Sequence, residues 1–147
     1  MAAVRTADVT WSGDLTSGSG TIDYVGSGAF SRMPVTWASR IDRSDGRTSP
    51  EELLAAAHGS CFAMAFSNGL AKAGHPAERL SVRATVTFDQ ADGGWRVASS
   101  ALTVRGVVPG LSADEFSRLA EAARDGCPIS GALKGNVALS VDASLEA

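Results

Sequence analysis

The two cysteines of this 147-residue chain lie in contexts that favour redox chemistry over a structural role. Cys61 lies on a run of apolar and small residues typical of a buried helix. Cys127 is followed by Pro128, which is typical of a sharp helix start, where N–H groups and the helix dipole favour a thiolate. Burial alone would raise the pKa of Cys61 and leave it inert, so that thiol needs a cation nearby. The pair makes the chain a candidate thiol peroxidase.

Two residues are candidates for that cation. His58 lies three positions before Cys61, so the two side chains share one helix face, although a packed neutral imidazole is the commoner state of such a histidine. Arg40 is the better candidate, because a guanidinium keeps its charge wherever it lies. A plain buried hydrophobic role for Cys61 remains the alternative to catalysis.

The helix that carries Cys61 has the clearest boundaries in the sequence. Ser49 suits the N-cap, Pro50 the first helical position, and Glu52 completes a predicted capping box. The helix should extend to about Ala73, with Gly74 as its terminator. Its residues are apolar or small on nearly every face, which predicts burial on all sides.

Glu51 and Glu52 have different predicted roles because of their positions at the start of the helix. Glu52 has the capping role, which leaves Glu51 free for another one, although a solvated acid near a helix N-terminus is the usual explanation. Ten residues separate Glu51 from Cys61, or about 15 Å along a helix. The two therefore cannot meet within one unbroken helix, and a cysteine assisted by Glu51 would belong to a partner chain.

The remaining pattern predicts an antiparallel α+β protein with a single domain over residues 1–147. Alternation predicts strands at about 5–12, 18–25, 80–88, 95–108 and 137–145, a short extended piece at 34–37, and helices at about 112–124 and 127–133. These elements are too few to cover the long helix on all sides. An intertwined homodimer with two such helices at its centre would cover it.

Composition excludes several classes of function. A net charge of -3 argues against general binding to nucleic acid or an anionic membrane. The sequence contains no apolar run of the length that spans a bilayer, and its first residues lack the apolar core of a signal peptide. We therefore expect a cytoplasmic protein, in which two cysteines indicate catalytic or reduced thiols.

Other site chemistries fit the sequence poorly. The two cysteines with His58 and His75 match no zinc finger or ribbon spacing, and we expect no metal and no cofactor. The segment Gly18-Ser19-Gly20 precedes a strand and not a helix, so it is no phosphate loop. A non-catalytic dimeric module that binds a ligand or responds to stress remains the alternative to an enzyme.

From Asp8 to Leu145 the chain resembles the osmotically inducible protein C / organic hydroperoxide resistance family (OsmC/Ohr), and within it the OsmC branch. The motifs that carry the resemblance are Trp11-Ser12-Gly13-Asp14 with Gly18-Ser19-Gly20-Thr21, the helix Ser49 to Met64 with its cysteine, Val108-Pro109-Gly110, and Gly126-Cys127-Pro128-Ile129-Ser130. Two cysteine motifs in this order and at this separation are specific in combination.

The resemblance implies a peroxidase that reduces organic hydroperoxides to alcohols in oxidative and osmotic stress defence. It implies that Cys61 is the peroxidatic cysteine, which forms a sulfenic acid, and that Cys127 resolves it as an intramolecular disulfide. It implies further that Arg40 is the active-site arginine of the OsmC branch and that Glu51 holds it. The Ohr branch carries its arginine in the N-terminal hairpin loop, where this chain has Leu15-Thr16-Ser17-Gly18.

The family fold implied by the resemblance is an intertwined homodimer with two long central helices packed between sheets. Its active sites lie at the subunit interface, in agreement with the burial problem and the Glu51 spacing. The implied partners are the organic hydroperoxide and a dithiol reductant such as a lipoylated protein.

Overall fold

The computed structural model describes residues 1–146. The elements in chain order are β1 (Ala7–Ser12), β2 (Ser19–Val25), β3 (Ser31–Val35), α1 (Trp37–Ile41), α2 (Pro50–Lys72), β4 (Arg79–Ala91), β5 (Gly94–Val107), α3 (Ala113–Gly126), α4 (Pro128–Leu133) and β6 (Ala138–Leu145). This is a mixed α+β fold, as predicted. The chain forms two compact units, Met1–Leu53 and from Leu54 onward. The prediction of a single domain stays a prediction.

The first unit contains an antiparallel sheet in the order β1-β2-β3. The predicted N-terminal hairpin is present, and its turn is held by Asp14, whose carboxylate accepts from the N–H and hydroxyl of Ser17. The prediction of an extended piece over 34–37 is wrong at its last residue, because Trp37 begins the helix α1. Thr36 and Ser39 form the capping box of α1, a local signal that identifies this helix start.

The start of α2 differs from the prediction in one detail. Ser49 Oγ accepts from the backbone N–H of Glu52 at 3.1 Å, as an N-cap does. The Glu52 carboxylate, however, accepts from the Thr48 hydroxyl at 2.8 Å, so the predicted reciprocal half of the capping box is replaced by a bond to the preceding residue. The role of Glu52 remains structural, and α2 ends at Lys72, close to the predicted limit.

The second unit contains a sheet in the order β4-β5-β6. The β4–β5 pair is an antiparallel hairpin, as predicted, but β5 and β6 are parallel, which corrects the prediction of wholly antiparallel sheets. The physical reason is the connection: α3 and α4 lie between these strands in sequence, and such a crossover returns the chain in its original direction.

Three phenylalanines belong to the buried core of the second unit. Phe62 and Phe66 of α2 are fully buried, and the Phe66 ring lies 5.0 Å from that of Phe116 on α3. Gly106 of β5 permits this packing, since a Cβ there would lie 2.6 Å from the Phe116 ring. Apolar packing therefore holds α2 against β5 and α3.

Within one chain, α2 is buried on one face only. His58, Phe62, Phe66 and Leu70 are fully buried, whereas Met64 on the opposite face is 72% exposed. Burial on all sides, the property predicted from the composition of the helix, is therefore not achieved by a single copy. Among the described residues, no helix combines the length and apolarity needed to cross a membrane.

Candidate active site

The structure brings the two cysteines into direct contact. The Sγ atoms of Cys61 and Cys127 lie 2.8 Å apart, although the residues are 66 positions apart in sequence. Cys61 lies in the middle of α2, and Cys127 is the N-cap of α4 with Pro128 after it, as the sequence predicts. Cys127 is 1% exposed, and Cys61 is partly exposed. This geometry suits a pair of thiols that interconverts with a disulfide.

The two thiols differ in their readiness to ionise. Burial and the hydrogen bond with Cys127 raise the pKa of Cys61. Burial also acts to raise the pKa of Cys127, but hydrogen bonds from Cys61 and from the N–H and hydroxyl of Ser130 outweigh it and lower that pKa. Because the thiols share a contact, the first proton leaves the pair as a whole. Cys61 therefore needs an additional positive charge if it is to be the thiolate of the pair.

His58 lies beside the cysteine pair and makes two hydrogen bonds. Its Nδ1 lies 2.6 Å from Ser100 Oγ on β5, and its Nε2 lies 2.8 Å from Ser130 Oγ on α4. The side chain is fully buried, and burial lowers the pKa of His58 below its ordinary value. The imidazole is therefore neutral at pH 7, with one nitrogen donating and the other accepting. It is not the permanent cation that Cys61 requires.

Arg40 and Glu51 form an ion pair in the first unit. Arg40 Nε lies 2.9 and 3.1 Å from the two Glu51 oxygens, and Nη2 lies 2.8 Å from Oε1. Glu51 is 7% exposed, so the solvated acid considered from the sequence is excluded. Such a carboxylate fixes the orientation of the guanidinium, and the contact is the one that the family resemblance implies.

Arg40 also borders an open pocket of the first unit with mostly apolar walls. The pocket is lined by Trp11, Leu15, Val35, Thr36, Trp37, Arg40 and Pro50. The guanidinium carbon of Arg40 lies 5.9 Å from the centre of a Trp37 ring. An apolar pocket with one cationic group suits a molecule with a hydrocarbon body and a polar head.

The sequence-predicted residues thus form two pairs, Arg40 with Glu51 and Cys61 with Cys127, and their catalytic roles stay predictions. Sequence reasoning missed Ser100 and Ser130. Ser130 had a signal, because it occupies the third position of a helix whose N-cap is Cys127. Ser100 also had one, because it precedes Leu102 and Val104 at the alternate, inward positions of β5, where a polar residue needs a partner.

Metal binding was also considered from the sequence. Across residues 1–146, no group of three or more His, Cys, Asp or Glu side chains is arranged to hold a metal ion.

The fold is α+β, and its long helix α2 and short helix α4 bring two thiols together. These features define a class of proteins with a cysteine pair at the candidate site. The family model described as OsmC-like protein matches residues 43–142. The chain is 36% identical over 129 residues to peroxiredoxin OsmC of Escherichia coli (strain K12), with 88% of this chain and 89% of that protein covered. The chain belongs to the OsmC family.

Other similar proteins are named organic hydroperoxide resistance protein, the name of the Ohr branch. The organic hydroperoxide resistance protein of Xanthomonas axonopodis pv. citri is 34% identical over 92 residues, covering 61% of this chain and 62% of that one. The structure of an organic hydroperoxide resistance protein from Elizabethkingia anophelis, solved with thiocyanate bound, is similar to this chain with a TM-score of 0.76 at 25% identity. The match covers 99% of this chain and 100% of that one. OhrB of Bacillus subtilis shares the fold with a TM-score of 0.73 at 24% identity, covering 95% and 98%.

The neutral, buried state of His58 predicts a pH-dependent stability. A histidine with a lowered pKa in the folded state stabilises fully above the unfolded pKa of ~6.5, and this contribution is lost as pH falls through the folded pKa. We expect the free energy of unfolding to fall by up to about 1.4 kcal/mol per pH unit as pH drops from the unfolded pKa of His58 to its lower folded pKa, measured by denaturant titration. His58→Gln should abolish that slope. The control His75→Gln, which changes the other histidine, should retain it; an unchanged slope in His58→Gln would contradict the assignment.

Proposed function

We propose that this chain is a thiol-dependent peroxidase that reduces organic hydroperoxides to alcohols in stress defence, using Cys61 and Cys127. The observation that carries the proposal is the contact between the two Sγ atoms at 2.8 Å. Membership of the OsmC family and relatives named peroxiredoxin and organic hydroperoxide resistance protein support it. The same evidence argues against the non-catalytic alternative, which would have no use for two thiols in contact.

The chemistry assigned to the pair follows the order in which the thiols are oxidised. The Cys61 thiolate attacks the distal oxygen of the hydroperoxide, which forms a sulfenic acid and releases an alkoxide that takes up a proton to become the alcohol. The Cys127 thiolate then attacks the Cys61 sulfur, which forms the disulfide and expels hydroxide. A dithiol reductant, such as a lipoylated protein, returns the disulfide to two thiols.

Arg40 has the role of the cation in this proposal. Support comes from the raised pKa of Cys61, which burial and the bond to Cys127 cause, and from the ion pair with Glu51 that fixes the guanidinium. Support for an organic substrate comes from the apolar walls beside Arg40, which suit the hydrocarbon part of a hydroperoxide. We assign the protein to the cytoplasm, where a dithiol system keeps both thiols reduced.

We propose a homodimer as the active unit. Between Glu52 and Lys72, α2 has no Asp, Glu, Lys or Arg, yet one face of it is exposed. Beside that face lies an open hollow between α2 and β4, lined by Ala55, Ala56, Gly59, Ser60, Ala63, Leu80, Val82 and Ala84. Small residues permit close approach of another backbone, and the α2 helix of a second copy has the matching small-residue surface.

Substitution of either cysteine separates the two roles. Cys61→Ser should abolish hydroperoxide reduction with a dithiol, because no sulfenic acid can form. Cys127→Ser should consume about one equivalent of peroxide per site and then stall as a sulfenic or further-oxidised species. Peroxide consumption and the intact mass of each variant check both outcomes. Sustained turnover by Cys61→Ser would reject the proposal.

Removal of Arg40 tests the source of the positive charge. Arg40→Ala should raise the midpoint of Cys61 alkylation against pH by about one unit or more and slow peroxide attack at neutral pH. Arg118→Ala is the matched control, since Arg118 pairs with Glu115 on the exposed surface of α3 and should leave the profile unchanged. A Cys61 profile that Arg40→Ala does not alter would transfer the role to another group.

Sedimentation tests the dimer. The wild type should sediment at twice the mass of one chain, and Ala63→Glu, which places a charge in the hollow, should dissociate or unfold it. Ser81→Glu on the exposed face of β4 is the control and should remain dimeric. A stable folded wild-type monomer would contradict the proposal.

Complementation tests whether the site is shared. If each site takes Glu51 from the partner, a heterodimer of Glu51→Ala and Cys61→Ser chains has one intact site and about half of wild-type activity. A heterodimer no more active than its parents would place Glu51 and Cys61 of one site in the same chain.

A further inference from the structure

The pocket beside Arg40 has aromatic walls as well as aliphatic ones. Two of its seven lining residues are Trp11 and Trp37, and the others include Leu15 and Val35. Its volume is about 390 Å³, near the lower end of the range for small-molecule sites. Among the described residues that line it, Arg40 alone is charged. The ligand is therefore restricted by the shape of these side chains as well as by their apolar character.

The Trp11 ring is held in place by two kinds of contact. Trp11, Gly20 and Val35 form one row across the strands β1, β2 and β3. A Cβ at Gly20 would lie 2.6 Å from Cε3 of Trp11 and 3.0 Å from a Val35 methyl group, so the indole lies close over the glycine backbone. The indole N–H also donates to the Gly13 carbonyl at 3.0 Å. A side chain that is already ordered loses little conformational freedom when a ligand binds to it.

The second indole lies next to the guanidinium. Trp37 begins α1 and Arg40 follows it by three positions, so the two side chains share one face of that helix. The guanidinium carbon lies 5.9 Å from the centre of a Trp37 ring, within cation–π distance. Glu51 binds the same guanidinium at Nε and Nη2. The pocket thus places a cationic hydrogen-bond donor beside two flat aromatic surfaces.

We propose that Trp11 and Trp37 determine the substrate specificity of this site and select benzylic hydroperoxides, in which an aromatic ring is attached to the carbon that bears the peroxide. This inference rests on the proposed function for the identity of the substrate. A planar ring packs offset or edge-on against an indole, and such pairs gain stability beyond the apolar area that they bury. The Arg40 guanidinium then donates to the oxygen atoms at the polar end of the same molecule.

A saturated ring distinguishes this inference from simple hydrophobic binding. A cyclohexyl group has the same number of carbon atoms as a phenyl group, more hydrogen atoms and no π-system. Because apolar burial is proportional to area, a pocket that recognised apolar area alone would bind the cyclohexyl compound at least as tightly. Aromatic walls predict the opposite order of affinities.

Binding of two unreactive alcohols, dimethylphenylcarbinol and dimethylcyclohexylcarbinol, tests that order. They are the alcohols that reduction of the corresponding hydroperoxides would give. The full chain is labelled with ¹⁵N-tryptophan, and its indole N–H signals are followed as each alcohol is added to the reduced protein. The phenyl compound should bind about fivefold more tightly. Equal affinities, tighter binding of the cyclohexyl compound, or no shift of the Trp11 and Trp37 signals would overturn the inference.

Substitution of Trp11 assigns the preference to a residue. Trp11→Leu, followed at the Trp37 signal, should leave the two affinities equal or in the reverse order, and Trp11→Phe should retain most of the preference. Tyr24→Leu is the matched control, since Tyr24 is an exposed aromatic residue of the same sheet outside the pocket lining, and it should not change the ratio. An unchanged ratio in Trp11→Leu would overturn the role of Trp11. Where Trp11→Leu does not fold, Trp37→Leu makes the same test at the other indole.

The failures of the two proposals are distinguishable, because binding of the alcohols needs no turnover. Absence of hydroperoxide reduction by the wild type would reject the proposed function and leave the affinity ratio standing. In an active enzyme, the ratio of kcat/KM for the phenyl and cyclohexyl hydroperoxides should follow the ratio of affinities. An active enzyme that does not discriminate between them would overturn the inference and leave the proposed function intact.

Discussion

The contact between Cys61 and Cys127 is the interaction on which the chemistry of the second unit depends. It joins the middle of α2 to the N-cap of α4, and neither helix alone fixes the distance between the sulfurs. The distance is set by packing: Phe66 of α2 contacts Phe116 of α3, and α3 ends at the residue before Cys127. A shift of either helix by an ångström would separate the thiols, so the aromatic core positions the chemistry as much as the polar groups do.

Two thiols in contact compete for one negative charge. The polar groups of α4 favour the charge on Cys127, while burial disfavours it on Cys61. The peroxidase mechanism needs the reverse order at first, with Cys61 ionised and Cys127 protonated. The second unit alone therefore does not explain the first step, and the proposed function assigns to Arg40 the permanent cation that would invert the preference. The ion pair with Glu51 removes the freedom of that cation to orient elsewhere.

Local signals made much of this predictable from the sequence. The N-cap serine and the proline gave the start of α2, alternation gave the β4–β5 hairpin, and Cys127-Pro128 gave the start of α4. Long-range features were not predictable in the same way. The parallel pairing of β6 depends on where α3 and α4 return the chain, and the Ser100–His58 contact joins residues 42 positions apart. The short helix α1 was not predicted, although Thr36 and Ser39 have the spacing of a capping box and could have indicated it.

A neutral histidine beside a thiol pair has a different use from a cationic one. An imidazolium at the position of His58 would add a positive charge near both cysteines and would favour loss of both protons. The alkoxide released from the peroxide would then lack the proton that Cys127 otherwise retains beside it. Because burial lowers the pKa of His58, the imidazole joins Ser100 and Ser130 by hydrogen bonds without adding charge. Under the proposed mechanism, a neutral His58 would let one proton remain in the thiol pair until the peroxide has reacted.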